Sequence, residues 1–99
     1  MEKIFRQYPA GAPASRRALA GVVGSGDLEV LLEPNSAGTT TIEVNTSVNG
    51  KGQTWNAVLS RIFSVGGLPA MKIEINDCGA TPGVVRMRIE QAIEEARQP

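Results

Sequence analysis

The sequence contains no histidine, and this absence excludes several kinds of catalytic and metal site. Without an imidazole, the chain alone cannot form the Ser-His or Cys-His pair that activates a nucleophile. Histidine is also the commonest metal-binding side chain, and the single cysteine, Cys78, cannot replace it in a structural zinc site. No EF-hand-like spacing of acidic residues is present. The sequence therefore predicts no metal site and no catalytic residue, and we expect the chain not to be an enzyme by itself.

Excess charge, aromatic residues and long apolar runs are also missing or scarce. Ten basic and ten acidic residues give a net charge of +0, and aromatics make up 4% of the chain, so nucleic-acid or anionic-membrane binding is not expected. No apolar run approaches the ~20 residues of a membrane span, and the N-terminal MEKIFRQYPAG has no signal-peptide pattern. One cysteine permits no internal disulfide, which fits a cytoplasmic protein.

The residues that are present predict a single α+β domain spanning residues 1–99. Residues 1–16 are predicted to form an extended N-terminal segment and a loop, because PAGAPAS is rich in Pro, Ala and Gly. Apolar residues recur with strand or helix periodicity further along. The predicted strands are residues 17–23, 28–33, 39–48 and 71–76, and the predicted helices are residues 53–63 and 81–96. This order favours a mostly antiparallel sheet of about four strands with two helices packed on one face.

The segment GVVGSGDLEV, residues 21–30, is predicted to be a β-hairpin with Ser25 at its tip. Gly24, Gly26 and Asp27 are ordinary turn-forming residues. An even-length connection centred on Ser25 would bring the larger apolar residues of both arms to one face. That face would carry Leu19, Gly21, Val23, Leu28, Val30 and Leu32.

Ser25 itself has two chemical interpretations. A phosphate-binding glycine loop or a nucleophile elbow would open a helix after the turn, and here a strand is predicted instead. The elbow also needs a histidine, which the chain lacks. What remains is a plain turn residue or an exposed serine to which a group is attached, and local chemistry does not choose between them.

Cys78, Arg86 and Arg88 are the other candidates for a functional role. Cys78 follows the last predicted strand, and a small, partly buried residue is favoured there over a reactive thiol. Arg86 and Arg88 lie near the start of the last helix, where the helix dipole disfavours cations, although Arg86 can pair with Glu90. They either belong to a solvated helix face or contact phosphate or an acidic partner surface.

Three stretches, RALAGVVGSGDLEVL, GLPA and GATPGVVRMRIEQAIEEA, resemble the acyl carrier (delta) subunit of bacterial malonate decarboxylase. The resemblance covers essentially the whole chain, and a more distant one exists to the carrier subunit of citrate lyase. It implies that Ser25 carries 2′-(5″-phosphoribosyl)-3′-dephospho-coenzyme A through a phosphodiester, presented by Gly24, Gly26 and Asp27. Cys78 does not belong to the motif.

The resemblance also implies the partners. A prosthetic-group transferase would modify Ser25, and the attached group would then carry acetyl and malonyl thioesters. A malonyl transferase, together with acyltransferase and decarboxylase subunits, would convert malonate to acetate and CO2. Two alternatives stay open: the carrier of a related lyase such as citrate lyase, and a small α+β interaction domain without a prosthetic group.

Overall fold

One five-stranded sheet with two helices on one of its faces makes up the structure, a computed structural model that describes residues 1–99. The elements are β1 (Glu2–Pro9), β2 (Ala18–Gly21), β3 (Leu28–Pro34), β4 (Thr39–Thr46), α1 (Gly52–Phe63), β5 (Met71–Asp77) and α2 (Pro82–Ala96). The predicted α+β class is confirmed. Neither helix has the length and apolar character needed to cross a membrane.

The strand order is β1-β4-β5-β3-β2, with β4 and β5 parallel and every other neighbouring pair antiparallel. Helix α1 forms the crossover that a parallel pair requires. The fifth strand is β1, which the sequence predicted only as an extended segment. It pairs with β4 along its whole length, from Glu2 opposite Thr46 to Pro9 opposite Thr39. The prediction of a mostly antiparallel sheet is therefore confirmed, with one strand more than expected.

The core lies between the helices and one face of the sheet, as the periodicity predicts. Leu28, Val30, Ile75 and Val44 from the central strands are fully buried. Both helices contribute apolar stripes at the predicted spacing. The buried residues are Trp55, Leu59, Ile62 and Phe63 in α1, with Val58 of the predicted stripe only partly buried, and Val85, Ile89, Ala92, Ile93 and Ala96 in α2. Helix α2 begins where the range 81–96 predicts. Thr81 and Pro82 are typical of the residue that caps a helix and the first residue inside it, and the Thr81 hydroxyl accepts a hydrogen bond from the Val84 N–H.

The prediction that Leu19, Gly21 and Val23 share the inner face of the hairpin with the apolar residues of β3 is wrong by one residue. Ala18 pairs with Leu32 and Ala20 with Val30, so the alanines face the core. Leu19, opposite Leu31, lies on the uncovered face and is 57% exposed. The outward side chains also include Val23, beyond the end of the strand, which is 57% exposed. The reason is that α2 packs against both β2 and β3. Small side chains on the edge strand let this helix approach, whereas an inward leucine would hold it away.

Candidate functional site

Ser25 occupies a tight turn at the tip of the β2–β3 hairpin, so the predicted hairpin is confirmed. The Asp27 N–H donates to the Gly24 carbonyl oxygen at 2.9 Å, and Gly26 has a φ of 75°. Ser25 has a negative φ, since no residue other than glycine has a positive one. A hydrogen-bonded four-residue turn with a negative φ at its second residue and a positive φ at its third is a type II turn, and its third position, here Gly26, favours glycine.

The Ser25 side chain is exposed and has free space around it. None of the side-chain hydrogen bonds in the molecule involves its hydroxyl, so no group of this chain is placed to remove its proton. A Cβ added at Gly26 would have no atom within 4 Å, and one at Gly24 would meet only Val22 Cγ2, at 3.9 Å. The glycines therefore leave the hydroxyl accessible from several directions.

The backbone of Cys78 supports the turn from the neighbouring strand. The Gly26 N–H donates to the Cys78 carbonyl oxygen at 2.8 Å, and the Cys78 N–H donates to the Asp27 carbonyl oxygen at 2.9 Å. These bonds extend the β3–β5 pairing, which ends at Leu28 opposite Asp77. Cys78 is half-buried, and its main chain anchors the Ser25 turn. The sequence predicted its partial burial but not this pairing.

Arg88 reaches from α2 to Asp27 and forms a two-pronged ion pair with it. Arg88 Nη2 donates to Asp27 Oδ2 at 3.0 Å, and Nε donates to Oδ1 at 3.2 Å. The Leu28 N–H also donates to Oδ1, at 2.7 Å. The Arg88 hydrogen bond, followed by the one from Leu28, lowers the pKa of Asp27 from its ordinary 3.8. Asp27 is therefore a carboxylate at neutral pH, and Arg88 balances its charge.

Gly21 makes room for this arginine. It has a φ of 80°, and a Cβ there would lie 3.2 Å from both Cδ and Nε of Arg88. The same Cβ would be 2.1 Å from the Leu28 carbonyl oxygen, closer than non-bonded atoms approach. Only glycine fits at position 21, and the Arg88 side chain lies directly over Gly21. Sequence reasoning missed Gly21, because its one signal, a glycine at the end of a short strand, does not identify the helix residue that covers it.

The two arginines singled out by the sequence differ in their surroundings. Arg88 lies against the Ser25 turn, whereas Arg86 pairs with Glu90 on the same helix, with 3.4 Å between Nε and Oε2. Both members of that second pair are about half exposed, at 53% and 55%. Whether either arginine contacts a phosphate or a partner stays a prediction. The structure contains no group of three or more His, Cys, Asp or Glu side chains that could hold a metal ion.

Comparisons with known proteins give a consistent picture. The family model of the malonate decarboxylase delta subunit matches residues 15–96. The malonate decarboxylase acyl carrier protein of Pseudomonas paraeruginosa is 60% identical over 96 residues, which covers 97% of each chain. The protein of the same name from Azotobacter vinelandii is 55% identical over 95 residues, or 96% of each chain.

A solved structure agrees with these relatives. One chain in the crystal structure of a Pseudomonas malonate decarboxylase hetero-tetramer in complex with malonate matches this fold with a TM-score of 0.93. The two chains are 53% identical, and the match covers 97% of this chain and 99% of that one. Because the family model and full-length relatives agree, the chain belongs to the malonate decarboxylase delta subunit family, the acyl carrier proteins of that enzyme.

Proposed function

We propose that this chain is the acyl carrier subunit of a malonate decarboxylase and that Ser25 is the residue that carries its prosthetic group. The observation that carries the assignment to Ser25 is the geometry of its turn. The hydroxyl is exposed, free of hydrogen bonds and flanked by glycines, while the turn backbone is held on one side by Cys78. An attachment serine needs this combination of an accessible oxygen and a turn backbone that is held in place.

The residues around Ser25 fit 2′-(5″-phosphoribosyl)-3′-dephospho-coenzyme A as the attached group. A phosphodiester next to an uncompensated carboxylate would suffer like-charge repulsion. Asp27 is the adjacent carboxylate, and Arg88 neutralises it through two hydrogen bonds. Gly24 and Gly26 leave space for a bulky substituent. When bound, the group supplies a thiol that forms thioesters with acyl groups.

The Ser25 hydroxyl would react once, during modification. Its oxygen would form a new bond to the phosphorus of a triphosphate-bearing donor, and the bond from that phosphorus to pyrophosphate would break. The hydroxyl proton would pass to a base of the prosthetic-group transferase, because no side chain of this chain hydrogen-bonds to Ser25. The serine is then a phosphodiester and takes no further part in bond making.

Partner subunits would carry out the reactions of malonate. The related Pseudomonas chain comes from a malonate decarboxylase hetero-tetramer, and by likeness we propose an acyltransferase, a malonyl transferase and a decarboxylase as partners of this chain. This chain has no histidine to act as a general base near neutral pH. A non-catalytic carrier that releases acetate and CO2 only with its partners fits that composition, and tethering raises the local concentration of the acyl group at their sites.

The relatives favour this assignment over the citrate lyase carrier, since those at 60% and 55% identity are both malonate decarboxylase acyl carrier proteins. An interaction domain without a prosthetic group is the remaining alternative. It differs from a carrier in one measurable property, the covalent mass of the chain.

The test is the intact mass of the chain after co-expression with the prosthetic-group transferase and the enzyme that makes its donor. We expect the mass of one prosthetic group to be added to the wild type and not to Ser25→Ala. Ser36→Ala is the matched control, because Ser36 is also exposed in a strand-connecting loop, and this variant should be fully modified. An unmodified wild type would contradict the carrier assignment, and a modified Ser25→Ala chain would contradict the site.

A further inference from the structure

One side chain, Arg88, lies against both ends of the seven-residue segment 21–27 that contains Ser25. At one end the Arg88 stem lies over Gly21, where a Cβ would come within 3.2 Å of it. At the other end its guanidinium binds Asp27 with two hydrogen bonds of 3.2 and 3.0 Å. The loop between these points has no other side-chain contact with α2 among the hydrogen bonds of the molecule.

Asp27 is also the residue that closes the Ser25 turn. Its N–H donates to the Gly24 carbonyl oxygen, and its carbonyl oxygen accepts from the Cys78 N–H. Its carboxylate accepts from Arg88 and from the Leu28 N–H. Every polar group of Asp27 therefore has a partner. A change at Arg88 acts on the residue whose main chain completes the turn.

Three of the five guanidinium N–H groups of Arg88 already have acceptors within the chain. Nε and Nη2 donate to Asp27, and Nη1 donates to Gln91 Oε1 at 3.3 Å. A phosphate could reach only the one remaining N–H on each of Nη1 and Nη2. The Asp27 carboxylate bound to the same guanidinium offsets the attraction of its positive charge for that phosphate. The geometry thus favours an indirect action of Arg88 on Ser25.

We propose that Arg88 is a positioning residue for the modification of Ser25: by binding Asp27 it holds the type II turn in the conformation that presents the hydroxyl to the transferase. This inference rests on the proposed function. Its physical basis is that an attacking oxygen held in one place avoids the ordering cost that a mobile loop incurs on docking. The guanidinium itself does not bind the donor.

A double-mutant cycle on the apo chain separates this role from direct phosphate contact. Purified transferase and its triphosphate donor are used to modify three variants: Arg88→Gln, Asp27→Asn and the double variant. The modified fraction of each chain is followed over time by intact mass, and kcat/KM is calculated from it. We expect each single variant to be slower by roughly 10- to 100-fold, the size of effect that small misplacements of a reacting group produce. The double variant should be no slower than the singles, because all three lose the same ion pair. Arg88→Lys keeps the positive charge but cannot form the two-pronged hydrogen bond with Asp27. Its kcat/KM for modification should lie between those of the wild type and Arg88→Gln.

The matched control is Arg61→Gln, which, like Arg88→Gln, removes one positive charge but takes it from an exposed position on α1. It should react at the wild-type rate. If Arg88 bound the donor directly, Asp27→Asn would leave the rate unchanged or raise it by freeing the guanidinium. That result would overturn the proposal. So would additive effects in the double-mutant cycle, or a loss of rate in Arg61→Gln as large as that in Arg88→Gln.

Amide hydrogen exchange gives a readout that does not depend on modification. Arg88→Gln and Asp27→Asn should speed exchange at the Gly26 and Asp27 N–H groups, while the Val44 N–H in the central sheet keeps its protection. Unchanged exchange at Gly26 and Asp27 would refute the positioning role. A wild type that is never modified would instead refute the proposed function. If Arg88→Gln does not fold, Asp27→Asn carries the test, since its amide is of similar size and can still accept from the Leu28 N–H.

Discussion

Gly21→Ala adds one methyl group at the most restricted glycine of the structure. Its φ of 80° places the residue in the left-handed region, and the new Cβ would lie 2.1 Å from the Leu28 carbonyl oxygen. That oxygen belongs to the backbone of β3, which is bonded to β5 along its length. The clash therefore cannot be relieved by rotating a side chain, and either the end of β2 or the start of β3 must move.

The expected loss of stability combines two costs. A non-glycine residue in the left-handed region costs roughly 1–2 kcal/mol, and forcing extra carbon into a packed site costs roughly 1–3 kcal/mol. We therefore expect Gly21→Ala to lower the free energy of unfolding by about 3 kcal/mol. For a domain of this size, each kcal/mol shifts Tm by roughly 4–8 °C, so Tm should fall by about 12–24 °C.

Urea unfolding measures this loss through the fluorescence of Trp55, the one tryptophan in the chain, which is 5% exposed in the folded state. Gly66→Ala is the matched control. Gly66 also has a φ of 80°, but a Cβ there would have no atom within 4 Å, so only the conformational cost of roughly 1–2 kcal/mol applies. If both variants lost the same stability, the close contact at Gly21 would not limit that position and the reasoning would be refuted.

Two further predictions concern the ion pair and the facing of β2. Because Arg88 and the Leu28 N–H lower the pKa of Asp27 below 3.8, its stabilising contribution is fully present above about pH 4 and is lost as the pH falls through the folded-state pKa. Urea unfolding at a series of acidic pH values should thus show a smaller acid loss for Asp27→Asn than for the wild type, and parallel curves would contradict this. Ala20 is 8% exposed and Leu19 57%, so Ala20→Leu should destabilise the chain by about 1–3 kcal/mol and Leu19→Ala by only about 0.5 kcal/mol. The opposite order in thermal unfolding would support the inward leucine that the sequence predicts.

The elements that the sequence predicts well are those with strong periodicity and a clear end signal. Helix α2 has both a buried stripe and the Thr81-Pro82 start, and β5 alternates cleanly from Met71 to Asp77. Strand β1 lacks such a pattern, because the aromatic Phe5 faces outward and is 62% exposed. Its strand character comes from pairing with β4, a long-range contact that no local pattern reports.

The facing of β2 could not be obtained from hydrophobicity either. Placing the larger residues inward is a sound rule when the strand has room above it. Here α2 packs against the edge of the sheet, so the alanines are buried and Leu19 lies on the open face. The deciding factor was the distance of approach of a helix that comes more than fifty residues later in the chain.

In the candidate site, too, the local structure could be predicted from the sequence and the long-range contacts could not. Gly24, Ser25, Gly26 and Asp27 predict their own turn, because turn chemistry is local. The contacts that hold the turn join it to Cys78 and Arg88, and the sequence suggested other roles for both residues. Arg88 stood out as a cation at the wrong end of a helix dipole. Its partner supplies the missing reason, since the carboxylate of Asp27 compensates the unfavourable position.

The backbone of the turn is held by hydrogen bonds, whereas the Ser25 hydroxyl is free. This combination has a physical consequence for a carrier. The effective concentration of a tethered group at a partner's site depends on the length and stiffness of everything between the folded domain and the reactive end. A mobile serine loop would lengthen that connection without adding reach in any useful direction. With Asp27 held by Arg88 and Gly26 held by Cys78, an arm attached to Ser25, as we propose, would become mobile at the serine oxygen itself. The volume that such an arm would search would then be set by the arm and by how the rigid domain docks. For this reason the rigidity of a turn of only four residues matters for the proposed function.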